Sequence, residues 1–250
     1  MNLNRRSDME TQPEKGGNSM TNSRTNARIA GILLILGTVP ILLALALWGK
    51  PILSPDYLSL MAANSGQVLL FALTIMIMGL ACAGIGIALY PVLKQHNKGL
   101  ALTAMGFRLM EGPLQLVTAV GFVVLLAVSQ EFVKAGSPPD SLYQSAGAAI
   151  KAVNDWLSTA FYLPFLIGAS SYYIVFYRAQ LVPRWLSVWG LAGILGMLIA
   201  GLAGTLGLLD ASSSVGTLLC LPIMVQELVL AVWLIVKGFD SPAAAKERVI

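Results

Sequence analysis

The chain alternates long apolar stretches with short polar ones, and the apolar stretches exceed what the core helices of a soluble domain need. A helix that crosses a bilayer takes about 20 mostly apolar residues. Six stretches reach that length: residues 29–48, 68–93, 100–129, 156–177, 185–209 and 215–239. The third is long enough to tilt or to project from the bilayer. The pattern therefore predicts an all-α fold, a polytopic bundle of six transmembrane helices. Pro40, Pro113, Pro164 and Pro222 fall inside spans. There a missing N–H and a ring clash should kink the helix. Four kinked helices are compatible with a central polar cavity.

Lipid tails are as apolar as leucine, so spans associate through close packing of small side chains. Ala192, Gly196, Ala200 and Gly204 follow one another at intervals of four in the fifth span. Gly79 with Ala83, and Gly84 with Ala88, repeat that interval in the second. These faces are predicted to be helix contacts. The longest connection covers residues 130–155. Gly136-Ser137-Pro138-Pro139 should stop a helix there, and Asp140 or Ser141 is placed to cap the next. Leu142, Ala146, Ile150 and Val153 then lie at helical spacing. They predict an amphipathic segment that either rests on the membrane surface or extends the fourth span.

Residues 1–27 are polar and rich in Gly, Ser and Asn, which predicts a disordered tail. Residues 28–239 form the predicted transmembrane domain, and residues 240–250 a second short tail. Translation from Met20 fits the pattern as well as translation from Met1. Ala44-Leu45-Ala46 has the look of a signal-cleavage site. The long polar lead and a first stretch able to span by itself predict that it stays uncut.

Composition fixes the solvent. Hydrophobic residues make up 56% of the chain and charged residues 11%, against about 25% charged in soluble domains. So few charges cannot cover a water-facing surface, and the partner must be a lipid bilayer. A net charge of +4 then signals no nucleic acid; its distribution reports orientation instead. Of the basic residues, only Lys50, Lys134 and Lys151 fall in the connections on one side. Arg28, Lys94, Lys98, Arg178, Arg184 and Lys237 flank the other ends, with both tails. Lys and Arg mark the cytoplasmic side, which predicts N-in, C-in. Trp48, Trp156, Trp185, Trp189 and Trp233 lie near span ends, as does the group Tyr172, Tyr173, Phe176 and Tyr177. Headgroup-level belts favour such rings. Cys82 and Cys220 lie at different depths in apolar runs, so no disulfide is expected.

Three ionisable residues fall deep inside spans: Arg108, Glu111 and Glu227. A charge at the bilayer centre costs about 2.5–3.5 kcal/mol even on the lenient insertion scale, so each needs a partner. Arg108 lies ten residues from Lys98, and Glu227 ten residues from Lys237, on the same side. At 1.5 Å per residue both reach a depth of about 15 Å. Glu111 is one turn from Arg108 on the same face. The spacing predicts that Arg108 bridges Glu111 and Glu227, with Gln115, Asp155, Tyr162 and Gln226 as candidate neighbours. Asn154, Ser170 and Ser171 are further candidates. Such a cluster serves either as a salt bridge that fixes which helices meet, or as a site for a proton, an ion or a small anion.

Nothing else in the chain carries chemistry. His96 stands alone in a polar turn, without the partners a metal site requires. No nucleophile, phosphate-loop or metalloprotease motif is present. No cofactor, no metal and no enzymatic activity are expected.

Several stretches together carry a resemblance. They are Arg28-Ile29-Ala30-Gly31, Ala88-Leu89-Tyr90-Pro91-Val92-Leu93, Gly106-Phe107-Arg108 with Glu111, and the run from Leu181 to Gly190. Pro222 and Glu227, followed by Trp233 through Phe239, complete the set. Over about residues 28–239 the chain resembles the bacterial membrane family catalogued as domain of unknown function 4386. The resemblance implies a multi-pass protein of the bacterial cytoplasmic (inner) membrane and names no substrate. Three functions remain open: a small-solute, ion or proton-coupled transporter; a non-catalytic accessory or regulatory protein whose buried charges are structural; and a membrane enzyme acting on lipid, for which no nucleophile or acid–base pair near a headgroup is evident. Each is compatible with a homo-oligomer or a membrane-protein partner.

Overall fold

The computed structural model describes residues 15–139, 141–206, 208 and 214–240. The described chain runs through α1 (Lys15–Trp48), α2 (Lys50–Leu53), α3 (Tyr57–Ala63), α4 (Ser65–Leu93) and α5 (Lys98–Lys134). It continues through α6 (Leu142–Ala160), α7 (Tyr162–Ala179), α8 (Arg184–Thr205) and α9 (Ser214–Val236). Of the described residues 88% are helical, and none of them lies in a strand. Six units are long and apolar enough to cross a membrane: α1, α4, α5, the α6–α7 pair, α8 and α9. The chain is a multi-pass membrane protein.

The spans close into a ring. α1 packs on α4, α4 on α5, α5 on α6 and α7, α7 on α8, α8 on α9, and α9 back on α1. Glycines set the closest approaches. A Cβ on Gly79 would meet Gln115 Cβ at 2.8 Å, and one on Gly193 would meet the Ile223 backbone at 2.9 Å. The stripe predicted in the fifth span is only partly the contact face. Gly196 lies against Leu219 O, but Ala192 is exposed, and Gly190 and Gly193 supply the other tight contacts. Spacing alone did not say which of several small residues the neighbouring backbone would meet.

Element boundaries show four further differences. The tail expected to be disordered through Ala27 is helical from Lys15, while residues 1–14 and 241–250 lie outside the described residues. Ala27 and Ala30 are fully buried, and Gly31 lies against Ala231 O. A helix pinned there propagates backwards at one hydrogen bond per residue. The connection after α1 holds two short helices that the pattern did not signal; Leu58 and Met61 anchor α3. α8 ends at Thr205 rather than at residue 209. α9 ends at Val236, because Gly238 adopts φ +78° and the N–H groups of Lys237 and Gly238 both donate to Trp233 O.

The amphipathic segment is α6, and it leads into α7 through a break at Phe161. The break lies where Pro164 is expected to act: its missing N–H leaves Ala160 O without a helical donor, and the span made by α6 and α7 is interrupted at Phe161. Ser141 caps α6, its Oγ accepting from Gln144 N at 3.4 Å, and Asp140 lies outside the described residues. The inward face of α6 differs from the predicted one. Tyr143, Gly147, Ile150 and Asn154 turn towards the bundle, whereas Leu142 and Val153 are exposed. Gly147 seats the Leu58 side chain and Gly121 seats Asn154. Small residues chose the face, and the leucine and valine were left for lipid.

Candidate functional site

Each helix that meets the bundle axis does so with residues three and four apart. On α5 this face reads Arg108, Glu111, Gln115, Thr118, Phe122 and Leu125; on α4 it reads Phe71, Ile75, Met78, Cys82 and Ile85. That mean spacing of about 3.5 is the seam of gently crossing helices. Here the seam does not close. It lines a cavity of about 430 Å³ that runs from Arg108, Glu111 and Glu227 to Lys151, Asp155 and Ser158 near the α6–α7 break.

The three charges form the floor. Arg108 donates through Nη1 to Glu111 Oε2 at 2.8 Å and through Nη2 to Glu227 Oε1 at 3.0 Å. The pair joins α5 to α9. Nη2 also reaches the Tyr172 hydroxyl of α7 at 3.0 Å. Tyr172 lies within 3.4 Å of Glu227 Oε1, and the Thr38 hydroxyl of α1 donates to Glu227 Oε2 at 3.3 Å. The guanidinium carbon sits 4.8 Å from the Phe165 ring centroid, a cation–π contact that offsets part of its desolvation. Two glycines make room for it. A Cβ on Gly86 would meet Arg108 Cβ at 2.9 Å, and one on Gly168 would meet Arg108 N at 3.3 Å.

Exposure separates the members. The side chain of Arg108 is 2% exposed and that of Glu111 is 0%, but Glu227 keeps 12% towards the cavity. Arg108 Nε and Glu111 Oε1 are buried without a hydrogen-bond partner, although the Cys82 thiol, a weak donor, lies beside Glu111. A buried carboxylate oxygen lacking a partner is expensive in an apolar setting. It is also what an unfilled binding site offers.

The other candidates divide. Gln115 lines the cavity one turn beyond Glu111. Asp155 and Tyr162 line its far end; Asp155 pairs with Lys151 at 2.8 Å, and no hydrogen bond joins either residue to the cluster. Gln226 belongs to a separate network, accepting from the Tyr173 hydroxyl and donating to Leu186 O at 3.0 Å. That network ties α7, α8 and α9 together beneath the cluster. Asn154 packs α6 on α5, its Nδ2 3.4 Å from Thr118 O. Ser171 donates to Ile167 O, and Ser170 makes no bond to the cluster.

Tyr172, Thr38 and Phe165 were missed. Tyr172, Tyr173 and Phe176 were assigned to a headgroup belt, yet all three are fully buried, and of that group only Tyr177 is exposed, at 41%. A signal was present. Phe165, Gly168 and Tyr172 recur at intervals of three and four on α7, and all three touch Arg108.

Among the described residues no group of three His, Cys, Asp or Glu side chains could hold a metal ion. Cys82 and Cys220 are both free thiols that line the cavity. No curated protein and no solved structure matches the chain. One family does, over residues 29–238, and the match takes in every span and the whole charge cluster. The protein belongs to the family described as Domain of unknown function (DUF4386).

Proposed function

We propose that the protein is a transporter of a small solute, an ion or a proton, with Arg108, Glu111 and Glu227 as its polar site. The observation that carries this reading is the cavity that reaches those charges from one end of the bundle. Transporter sites lie near the bilayer midplane, and an intramembrane charge facing a cavity marks such a pathway. No step in this reading needs a nucleophile or a cofactor, so the role is non-catalytic. The bundle sits N-in, C-in in a bacterial cytoplasmic membrane. The basic ends of α1, α5 and α8 then face the cytoplasm, and the cavity opens on the opposite side.

A second reading rests on the sheltering of Arg108. Pinned by Gly86, Gly168 and the Phe165 ring, it has the form of a structural clamp between α5, α7 and α9. An accessory or regulatory protein needs no more.

Water access to Cys82 separates the two. Cys220→Ser leaves Cys82 as the single thiol of the chain, and thiosulfonates react with the hydrated thiolate. In proteoliposomes, a membrane-impermeant thiosulfonate added on the cavity side is expected to label Cys82, and the same reagent on the basic side is not. A thiol silent from both sides, yet labelled after unfolding, means a dry core and sinks the transporter reading.

A further inference from the structure

The site's charge and its walls specify a class of ligand, on the assumption that the cavity is a transport site. Arg108 contributes one positive charge, and Glu111 and Glu227 two negative ones. Among the described residues, the other charged groups on the cavity wall, Lys151 and Asp155, neutralise one another at 2.8 Å. The cavity floor is therefore one negative charge in excess. Its unused hydrogen-bonding capacity is divided, because Arg108 Nε and Glu111 Oε1 are both buried without a partner; exposure is what favours the acid side. The carboxylate of Glu227 is the most exposed group of the cluster. Arg108, 2% exposed and covered by the Phe165 ring, and Glu111, 0% exposed, are both sheltered, so a ligand in the cavity meets the Glu227 carboxylate first and an anion gains little from Arg108.

The walls above the floor are apolar and aromatic. Phe71 and Phe122 meet edge to face, with centroids 5.3 Å apart, and Phe161 and Tyr162 do so at 4.7 Å. All four line the cavity. Ring faces attract a cation that has lost its water, most effectively an organic ammonium. A metal ion would find two carboxylates already engaged by Arg108 and few other oxygens, a poor replacement for its hydration shell. A bulky organic ammonium sheds less hydration and fills apolar space.

We propose that the cavity binds a small organic monocation, an ammonium with an apolar body. Its charge sits against Glu227, with Glu111 deeper in the cluster, and its body lies among Phe71, Phe122 and Tyr162. The volume of about 430 Å³ accommodates a single-ring amine.

The test is calorimetric titration of the detergent-purified full chain with benzyltrimethylammonium and, separately, with benzenesulfonate, each against empty micelles. The first is a permanent cation, so its own ionisation does not enter. Saturable cation binding is expected, tighter than that of the anion by roughly tenfold or more, and weakened roughly tenfold or more in Glu227→Gln. Protection of Cys82 from the thiosulfonate by benzyltrimethylammonium is the second readout, and it needs no charge variant. Equal or tighter binding of benzenesulfonate overturns the proposal. So does the absence of saturable cation binding, or unchanged binding in a folded Glu227→Gln protein. The two readings fail separately. A Cys82 that is labelled but never protected removes the ligand class and leaves the hydrated pathway. Cation binding with Cys82 silent from both sides keeps the site and removes the transporter.

Discussion

The two halves of the bundle use the same helices and pack them differently. Towards the basic ends, Leu89, Leu93, Ala104, Phe176, Leu186 and Leu230 fill the axis, each 1% exposed or less. On the other side of the charge cluster, Phe71, Ile75 and Phe122 face an opening instead. Tight glycine contacts between helices occur in both halves, as at Gly190 on Tyr173 and Gly79 on Gln115, so the contrast lies along the axis itself. A Cβ on Gly190, in the filled half, would sit 2.6 Å from the Tyr173 ring; one on Gly37, at the cavity, would find nothing closer than Cys82 Sγ at 3.8 Å. Interhelical distance is set where small residues let backbones approach, and it relaxes where they do not. The cluster lies at the changeover. It closes the filled half by tying α5, α7 and α9 together, and it is at the same time the floor of the open half. Structural clamp and binding site are two faces of one group of atoms.

The sharpest way to break that picture is to remove the cation that serves both halves. Arg108→Leu leaves two carboxylates facing one another without their partner. Removing one member of a buried pair costs about 3–5 kcal/mol, so thermal unfolding of the purified protein should drop steeply or the chain should fail to accumulate. Glu227→Leu leaves Arg108 paired with Glu111 at 2.8 Å and should cost less. The double variant recovers only part of the loss, because Glu111 still lacks a partner. Adding Glu111→Gln to it should restore most of the rest. Equal stability for Arg108→Leu and Glu227→Leu would mean that Arg108 is not the hub.

A milder pair of changes tests the packing contrast itself. Gly190→Ala pushes a methyl group into a fully buried ring that has no room to yield, with the Tyr173–Gln226 hydrogen bond at stake. Overpacking of this kind costs about 1–3 kcal/mol. Gly37→Ala adds the same methyl at ordinary contact distance and should stay within about 0.5 kcal/mol of the parent. Gly37→Phe carries the test further. The ring should fill the cavity beside Cys82 and slow its labelling, with little loss of stability. If both alanine variants behave alike, the axis is not packed differently at Gly190 and Gly37.

Much of this was legible in the sequence for a physical reason. A bilayer imposes length and polarity rules that act on each span separately, so six spans could be read one at a time. The meeting of Arg108, Glu111 and Glu227 was readable because a buried charge must find its opposite, and depth could be counted from Lys98 and Lys237. What stayed hidden depends on rotation about helix axes. Tyr172 and Tyr177 look alike in a list of interfacial aromatics, yet one is fully buried against Arg108 and the other is 41% exposed. α6 turned inward on Gly147 and Asn154 rather than on its larger apolar residues. In lipid, hydrophobicity no longer says which face is inside, and small or polar residues carry that information.

The weakest contact in the cavity supplies the finest test. Lys151 and Asp155 pair at 2.8 Å, with side chains 38% and 65% exposed. A pair so open to water is worth about 0–1 kcal/mol. Lys151→Ala should therefore leave thermal unfolding almost unchanged, within about 0.5 kcal/mol. Its electrostatic effect should be easier to see. Without the lysine, Asp155 adds a second negative charge at the far end of the same cavity, and a cationic thiosulfonate should reach Cys82 faster relative to an anionic one. Raised salt should shrink that change, since exposed charges are screened over about 8–10 Å at ordinary ionic strength. A ratio that does not move with Lys151→Ala would mean that the reagent enters by another route, and that the open half is not the way in.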